Sequence, residues 1–213
     1  MLNRYARAAV TRILTPVARL LLRLGVSPDV VTIVGTLGVC LGALIFFPMG
    51  ELLIGVLVIT AFVFSDTIDG IMARQLDRPG SWGAFLDSTL DRMGDAAIFA
   101  GLTIWFFQGG DDRVMAWLAL ACLVLGSIVS YARARAEGLG MRADVGIAER
   151  ADRLVAALVT TGLVGMGLPE VVLKVVLALL VVASFITVVQ RILVVRQQVR
   201  AAGSSSGAAA PTS

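Results

Sequence analysis

Leu52-Leu-Ile-Gly-Val-Leu-Val-Ile-Thr-Ala-Phe-Val-Phe64, followed at once by Ser65-Asp66-Thr-Ile-Asp69-Gly70-Ile-Met-Ala73-Arg74, is the stretch that decides how this chain folds. A segment that is apolar on every face cannot lie on the surface of a soluble domain; it needs a protein core or lipid around it. Carboxylates enter only where the run ends. A bilayer core about 30 Å thick takes about 20 apolar residues per helical span. Residues 52–72 meet that length. By the same reading so do residues 30–48, 84–107, 114–132, 154–168 and 171–190, which gives an all-α integral membrane protein with six transmembrane helices. Pro48-Met49-Gly50, Pro79-Gly80, Gly109-Gly110-Asp111-Asp112 and Gly167-Leu168-Pro169 punctuate the runs as turns.

Composition agrees with a membrane setting. The 213 residues are 58% hydrophobic and have a mean hydropathy of +0.90, against roughly 45–50% apolar content in a soluble domain. Residues 3–24 differ from the spans. Arg4, Arg7, Arg12, Arg19 and Arg23 are spread among Leu, Val and Ala, a pattern expected of an amphipathic helix lying on the membrane surface. Five arginines would be costly inside hydrocarbon, and no cleavable signal peptide is expected.

Arginine placement sets the orientation. Arg74 and Arg78 lie between the second and third runs. Arg133, Arg135, Arg142, Arg150 and Arg153 lie between the fourth and fifth, and Arg191, Arg196 and Arg200 follow the sixth. The other side has only Arg113 and Lys174. The bias of positive charge toward the cytoplasm therefore places both termini, and the carboxylates, on the cytoplasmic side of the cell membrane. Residues 1–200 read as a single membrane domain, and residues 201–213, rich in Ala, Ser and Gly, as a disordered tail.

The two cysteines, Cys40 and Cys122, sit inside apolar runs and read as packing residues rather than a disulfide or zinc site. Histidine is absent, so acid–base chemistry falls to carboxylates. Asp66 and Asp69 are three residues apart on one helix face. Asp87 and Asp91 are four apart on another. A turn at Pro79-Gly80 lets the two helices run antiparallel, so that the four carboxylates converge at the membrane edge. Gly70 and Ala73 leave room beside Asp66. Four crowded carboxylates repel unless a cation compensates them. Oxygen-only ligation suits Mg²⁺ or Mn²⁺ with substrate phosphates completing the shell, and two ions about 3.5–4 Å apart would clamp a transferring phosphoryl group. The bland alternative is solvated aspartates paired with Arg74, Arg78 and Arg92.

The pattern Asp66-x2-Asp69-Gly70-x2-Ala73-Arg74-x8-Gly83-x3-Asp87-x3-Asp91 resembles, at every fixed position, the motif of the CDP-alcohol phosphotransferase family. The likeness extends over residues 3–197 and implies a surface helix followed by six spans. It also implies that Asp66, Asp69 and Asp87 ligate two Mg²⁺ or Mn²⁺ ions, Asp66 and Asp87 bridging both. Asp91 would ligate the second ion and act as general base. Gly70 and Arg74 would hold the diphosphate of CDP-diacylglycerol, for which the planar arginine fork is suited. Ser27-Pro28-Asp29-Val30-Val31-Thr32 is similar to a stretch that cradles cytidine in that family. Many members carry asparagine where Asp29 stands, and a plain helix start with Asp29 in its first turn is the alternative. Gly80 and Ser81 either close over the nucleotide or form an ordinary turn. A homodimer is implied by the same resemblance, and no nucleic-acid partner is expected.

The acceptor must be chosen outside the motif. Arg133, Arg135, Arg153 and Arg191 could form a cationic pocket beside the carboxylates, and a phosphate-bearing acceptor is the natural guest. Otherwise these arginines only enforce topology and bind anionic headgroups of membrane lipids. Ser130-Tyr131-Ala-Arg133-Ala-Arg135-Ala-Glu137 is similar to the actinobacterial branch of the family that uses inositol 1-phosphate. The branch using glycerol 3-phosphate, the next candidate, carries Gly-Lys-x-Lys-Thr there, and this chain has no lysine in the region. A divalent-metal transporter is the rival from another class. It predicts carboxylates at the bilayer midplane and pathway residues on both sides, whereas the outer halves of these runs are almost purely apolar.

Overall fold

A computed structural model describes residues 2–76, 80–147 and 149–207, without the side chains of residues 2–12, 66 and 203–207. Eight α-helices follow one another in the described residues: α1 (Leu2–Arg23), α2 (Pro28–Leu41), α3 (Leu52–Val63), α4 (Ser65–Gln75), α5 (Ser81–Gln108), α6 (Arg113–Gly138), α7 (Arg150–Gly165) and α8 (Glu170–Gly207). A π-helical turn, Gly42–Phe46, extends α2. Among the described residues there is no β-strand.

Local chemistry explains the boundaries. Ser27 caps α2 by accepting the Val30 N–H at 3.3 Å, with Pro28 in the first turn, where a missing N–H costs nothing. Asp112 caps α6 by accepting the Met115 N–H at 3.1 Å. The residue before it, Asp111, takes a positive φ of 44°, a left-handed conformation that aspartate tolerates better than most residues. Gly50 reverses the chain between the π-turn and α3 with φ 79°. A Cβ there would strike the Trp105 ring at 2.5 Å.

Among the described residues, four helical segments are long and apolar enough to cross a membrane: Pro28–Phe46, Leu52–Gln75, Arg113–Gly138 and Glu170–Ala202. The sequence pattern had indicated six. The two that fall short do so for different reasons. α5 is long enough at 28 residues but carries Asp87, Asp91, Arg92 and Asp95 between its start and its middle turn. α7 has 16 residues, or about 24 Å of helix, less than the hydrocarbon thickness. The apolar run over residues 52–72 is itself broken at Phe64, where α3 gives way to α4. At the other end, α8 continues well past residue 190. Residues 201–207, whose composition suggests the start of a disordered tail, prolong it; residues 208–213 lie outside the described part.

The interior sits between α2, α3, α5, α6, α7 and α8, where Phe47, Ile59, Leu102, Phe106, Met115 and Leu177 are fully buried. Glycines let the backbones approach, as membrane packing requires. A Cβ on Gly101 of α5 would lie 2.4 Å from the Ala43 carbonyl oxygen, and one on Gly165 would lie 2.5 Å from the Leu53 nitrogen. A second, smaller cluster has α1 packed on α4 through Ala18, Ile71 and Met72, with Val31 of α2 against it. α1 thereby braces the helix that carries Asp66 and Asp69.

Candidate active site

The break at Phe64 builds the first half of the site. The Ser65 hydroxyl donates to the Phe62 carbonyl at 2.6 Å, a local bond that competes with the helix ladder at this step. The chain can turn so closely beside α2 because Gly35 and Gly38 lie opposite. A Cβ on Gly35 would meet the Ser65 hydroxyl, and one on Gly38 the Phe62 ring at 2.3 Å. α4 then starts with Asp66 in its first turn. The Asp66 side chain lies outside what the structure describes. Asp69, one turn on, is 8% exposed.

The Thr32 hydroxyl of α2 donates to Asp69 Oδ2 at 2.5 Å and also lies 3.1 Å from the Pro28 carbonyl. The Asp29 carboxylate accepts from the Trp82 indole N–H at 3.1 Å. These contacts bring the stretch Asp29, Val30, Val31 and Thr32 beside the acidic helices, joined to α4 through Thr32 and to α5 through Trp82. Val30 is exposed, while Val31 packs against the α1–α4 cluster. Among the described residues a Cβ on Gly70 would meet the Arg74 guanidinium at 3.9 Å, and one on Gly83 would meet nothing within 4 Å. Arg74, Gly80, Ser81 and Asp87 are all exposed. Among the described residues, the surface beside Asp69 is glycine-bearing and flanked by Arg74.

Asp87 and Asp91 stand within electrostatic reach of Asp69, so α4 and α5 do bring these three carboxylates toward one another. Among the described residues no group of three or more carboxylates or thiols is close enough to hold a metal ion; Asp66 is outside that statement. As a donor set the residues fit a hard divalent cation. They supply carboxylate and hydroxyl oxygen, and histidine is absent from the chain.

Arg150 and Asp95 are the members that sequence reasoning left out. The Arg150 guanidinium lies 2.9 Å from Asp91 Oδ2 and 2.9 Å from Asp95 Oδ1. The only sequence signal was spacing, since Asp95 falls one turn beyond Asp91. Nothing in the pattern of arginines singled out Arg150. Both residues, with Asp91, line one end of a cavity of about 200 Å³ whose remaining wall is Thr36, Val39, Val63, Ile98, Leu154 and Leu158, among other largely apolar side chains.

The four arginines expected to bind the acceptor's phosphate are placed unequally. Arg153 is 2% exposed, and its Nη1 has no hydrogen-bond partner among the described residues. It lines a narrow space with Arg92, Asp95, Cys122 and Ser127. Arg191, 5% exposed, donates from Nε to the Val145 carbonyl at 3.0 Å and from Nη1 to the Val129 carbonyl at 2.5 Å. Arg133 is paired with Glu137 at 2.9 Å and Asp144 at 3.1 Å, and Arg135 is exposed. Arg191 feels the charges of both Arg133 and Arg153. These three therefore share a neighbourhood, but two of them are engaged with groups of the protein itself.

A chain with paired carboxylates at the ends of adjoining helices, spaced as these are, has a known class. The profile of the CDP-alcohol phosphatidyltransferases matches residues 25–148, and the chain belongs to that family. It is 50% identical over 214 residues to a phosphatidylinositol phosphate synthase of Streptomyces avermitilis, covering 98% of this chain and 88% of that one. It is 50% identical over 200 residues to the protein of that name in Cutibacterium acnes, covering 90% and 96%. The crystal structure of Mycobacterium tuberculosis phosphatidylinositol phosphate synthase with CDP-DAG bound superposes with a TM-score of 0.83 at 45% identity, covering 86% of this chain and 94% of that one. The same enzyme in complex with manganese and citrate gives a TM-score of 0.82.

Proposed function

We propose that this protein transfers the phosphatidyl group of CDP-diacylglycerol to the hydroxyl of inositol 1-phosphate, releasing CMP and forming a phosphatidylinositol phosphate. The observation that carries the reading is identity of 45–50%, over most of both chains, to relatives named for that activity. It is joined to an unbroken run of the family's aspartates.

In this reading α5 and α7 also cross the bilayer, giving six spans with α1 on the membrane surface and both termini cytoplasmic. Residues 1–200 form the catalytic membrane domain, and the functional unit is a homodimer. CDP-diacylglycerol reaches the site from the inner leaflet. Gly70 leaves room for its diphosphate, Arg74 binds it, and Asp29, Val30, Val31 and Thr32, with Gly80 and Ser81, cradle the cytidine. Asp66, Asp69, Asp87 and Asp91 hold two Mg²⁺ or Mn²⁺ ions, and the manganese complex of the mycobacterial relative supports such a cation. When bound, those ions neutralise charge developing on the phosphates. Thr32 keeps Asp69 oriented. Asp91 takes the proton from the acceptor hydroxyl, whose oxygen attacks the lipid-linked phosphorus as the bond to CMP breaks. Carboxylate is the available base because histidine is lacking. Most of the rate enhancement comes from positioning and charge stabilisation. Arg153 offers the acceptor's phosphate a buried cation with an unpartnered N–H group. Arg133, Arg135 and Arg191 add positive charge nearby.

CMP release from CDP-diacylglycerol by the purified protein tests this directly. Release should require both a divalent cation and inositol 1-phosphate, and Asp91→Asn should fall by at least about a hundredfold, the usual weight of a general base. Release that persists in chelator, or turnover with glycerol 3-phosphate but not inositol 1-phosphate, contradicts it.

A further inference from the structure

Asp91 is not held by its own helix alone. Asp91 and Asp95 project from α5 one turn apart, on one face, and the first residue of α7 reaches both. Arg150 Nε lies 3.0 Å and 3.1 Å from the two Asp95 oxygens, and its Nη2 lies 2.9 Å from Asp95 Oδ1. Its Nη1 lies 2.9 Å from Asp91 Oδ2, and Nη2 is also 3.5 Å from the Asp91 backbone carbonyl. Asp95 therefore fixes the plane of the guanidinium through its Nε and Nη2 edge, and Nη1, beyond that edge, meets one named oxygen of Asp91. The pair is more than a surface contact: Asp91 and Asp95 are 18% and 15% exposed and Arg150 33%. Arg92 is farther from both carboxylates, at 3.7 Å from Asp91 and 3.8 Å from Asp95, and Arg153 lies beside Asp95 in the narrow space that both line with Arg92.

We infer that Arg150 is a positioning residue, and that the relay Asp95–Arg150–Asp91 sets the orientation in which the Asp91 carboxylate meets the cation and the acceptor. The inference rests on the role proposed for Asp91 above. Its physical basis is the geometry of the fork. Arginine presents a rigid plane of donors on two edges and can grip two carboxylates at once, whereas lysine is a point charge that satisfies one. An aspartate side chain has two torsions to fix, and a hydrogen bond to a defined oxygen restricts the second of them. Partners of this kind around metal-binding carboxylates cost about 10–100-fold in affinity or activity when removed.

Two roles have to be separated, because Arg150 also ties α7 to α5. Arg150→Lys keeps a charge that can pair with Asp95 and hold the helices together, but it cannot orient both carboxylates. Asp95→Asn removes the anchor and leaves Asp91 untouched. The experiment uses the full-length protein in detergent and reads three quantities for wild type and both variants: melting temperature, Mn²⁺ affinity by electron paramagnetic resonance, and kcat with KM for CDP-diacylglycerol. Arg150→Lys should melt close to wild type, yet lose at least about tenfold in kcat and bind Mn²⁺ more weakly by a similar factor, with KM little changed. Asp95→Asn should move kcat and Mn²⁺ affinity in the same direction. The double variant should be scarcely worse than Arg150→Lys alone, since both changes break one relay. Arg150→Lys with wild-type kcat and Mn²⁺ affinity overturns the inference, as does a loss of activity that only follows the melting temperature. Failure of the wild type itself to bind Mn²⁺ or turn over CDP-diacylglycerol would instead overturn the functional reading beneath it.

Discussion

Single side chains in this protein have work that spacing alone does not reveal. Asp112 is one on the side of the molecule away from the site. It caps α6 and forms an ion pair with Lys174 of α8, so that loop and helix are held by one carboxylate. The Lys174 ammonium, with the Met115 N–H, keeps its pKa below the ordinary carboxylate value. A depressed pKa stabilises the folded state above the unfolded value of about 3.9 and loses that contribution as pH falls through the folded value. Asp112→Ala should therefore lower stability by about 1 kcal/mol at neutral pH, and the deficit relative to wild type should shrink below about pH 4. Thermal unfolding in detergent at two pH values checks this. A deficit that is the same at both would show the ion pair to be irrelevant. At the site, Thr32 on Asp69 and Trp82 on Asp29 are similar cases. The aspartate motif was legible in the sequence because its spacing is helical. These partners were not, because each joins helices far apart along the chain.

Helices carry the next level of the account. The apolar runs predicted where each spanning segment begins to within a few residues, since an all-apolar pattern at helical length has few other solutions. The pattern was less able to see breaks. α3 ends and α4 begins at Phe64 because Ser65 bonds back to Phe62 and two glycines of α2 admit the chain closely, which is tertiary information. The length of α8 was missed for the opposite reason. Its last residues are weakly coded by composition, and helical propagation from a well-formed segment extends past the membrane. Close helix contacts make a direct prediction. Gly101→Ala places a methyl group against the Ala43 backbone carbonyl, which cannot move aside as a side chain can. It should destabilise the protein by about 1–3 kcal/mol, seen as a lower melting temperature. Gly83→Ala, where a Cβ meets nothing within 4 Å among the described residues, should not lower the melting temperature. Equal melting of the two variants would contradict the packing described between α2 and α5.

Taken whole, the molecule is charged unequally at its two ends. Asp29, Asp69, Asp91 and Asp95 gather with Arg150 and Arg153 at one, while the other has fewer charges, Asp112 and Lys174 paired among them. The family was legible from eight fixed positions, and the acceptor from the Ser130–Glu137 stretch, in agreement with the name of the relatives; which arginines hold its phosphate was less so, because arginines serve topology and recognition with the same side chain. Arg191 shows the difficulty. It was expected to face a phosphate, and it binds the carbonyls of Val129 and Val145, tying the segment before α7 to α6 and α8. Recognition of the acceptor can be followed directly. The measurement is the fate of the phosphate when the reconstituted protein receives CDP-diacylglycerol and inositol 1-phosphate labelled in its phosphate. The account predicts that the label enters the membrane lipid, in a product whose mass is that of phosphatidylinositol phosphate, with one CMP released for each. Label that stays in the aqueous phase while CMP is released would contradict it.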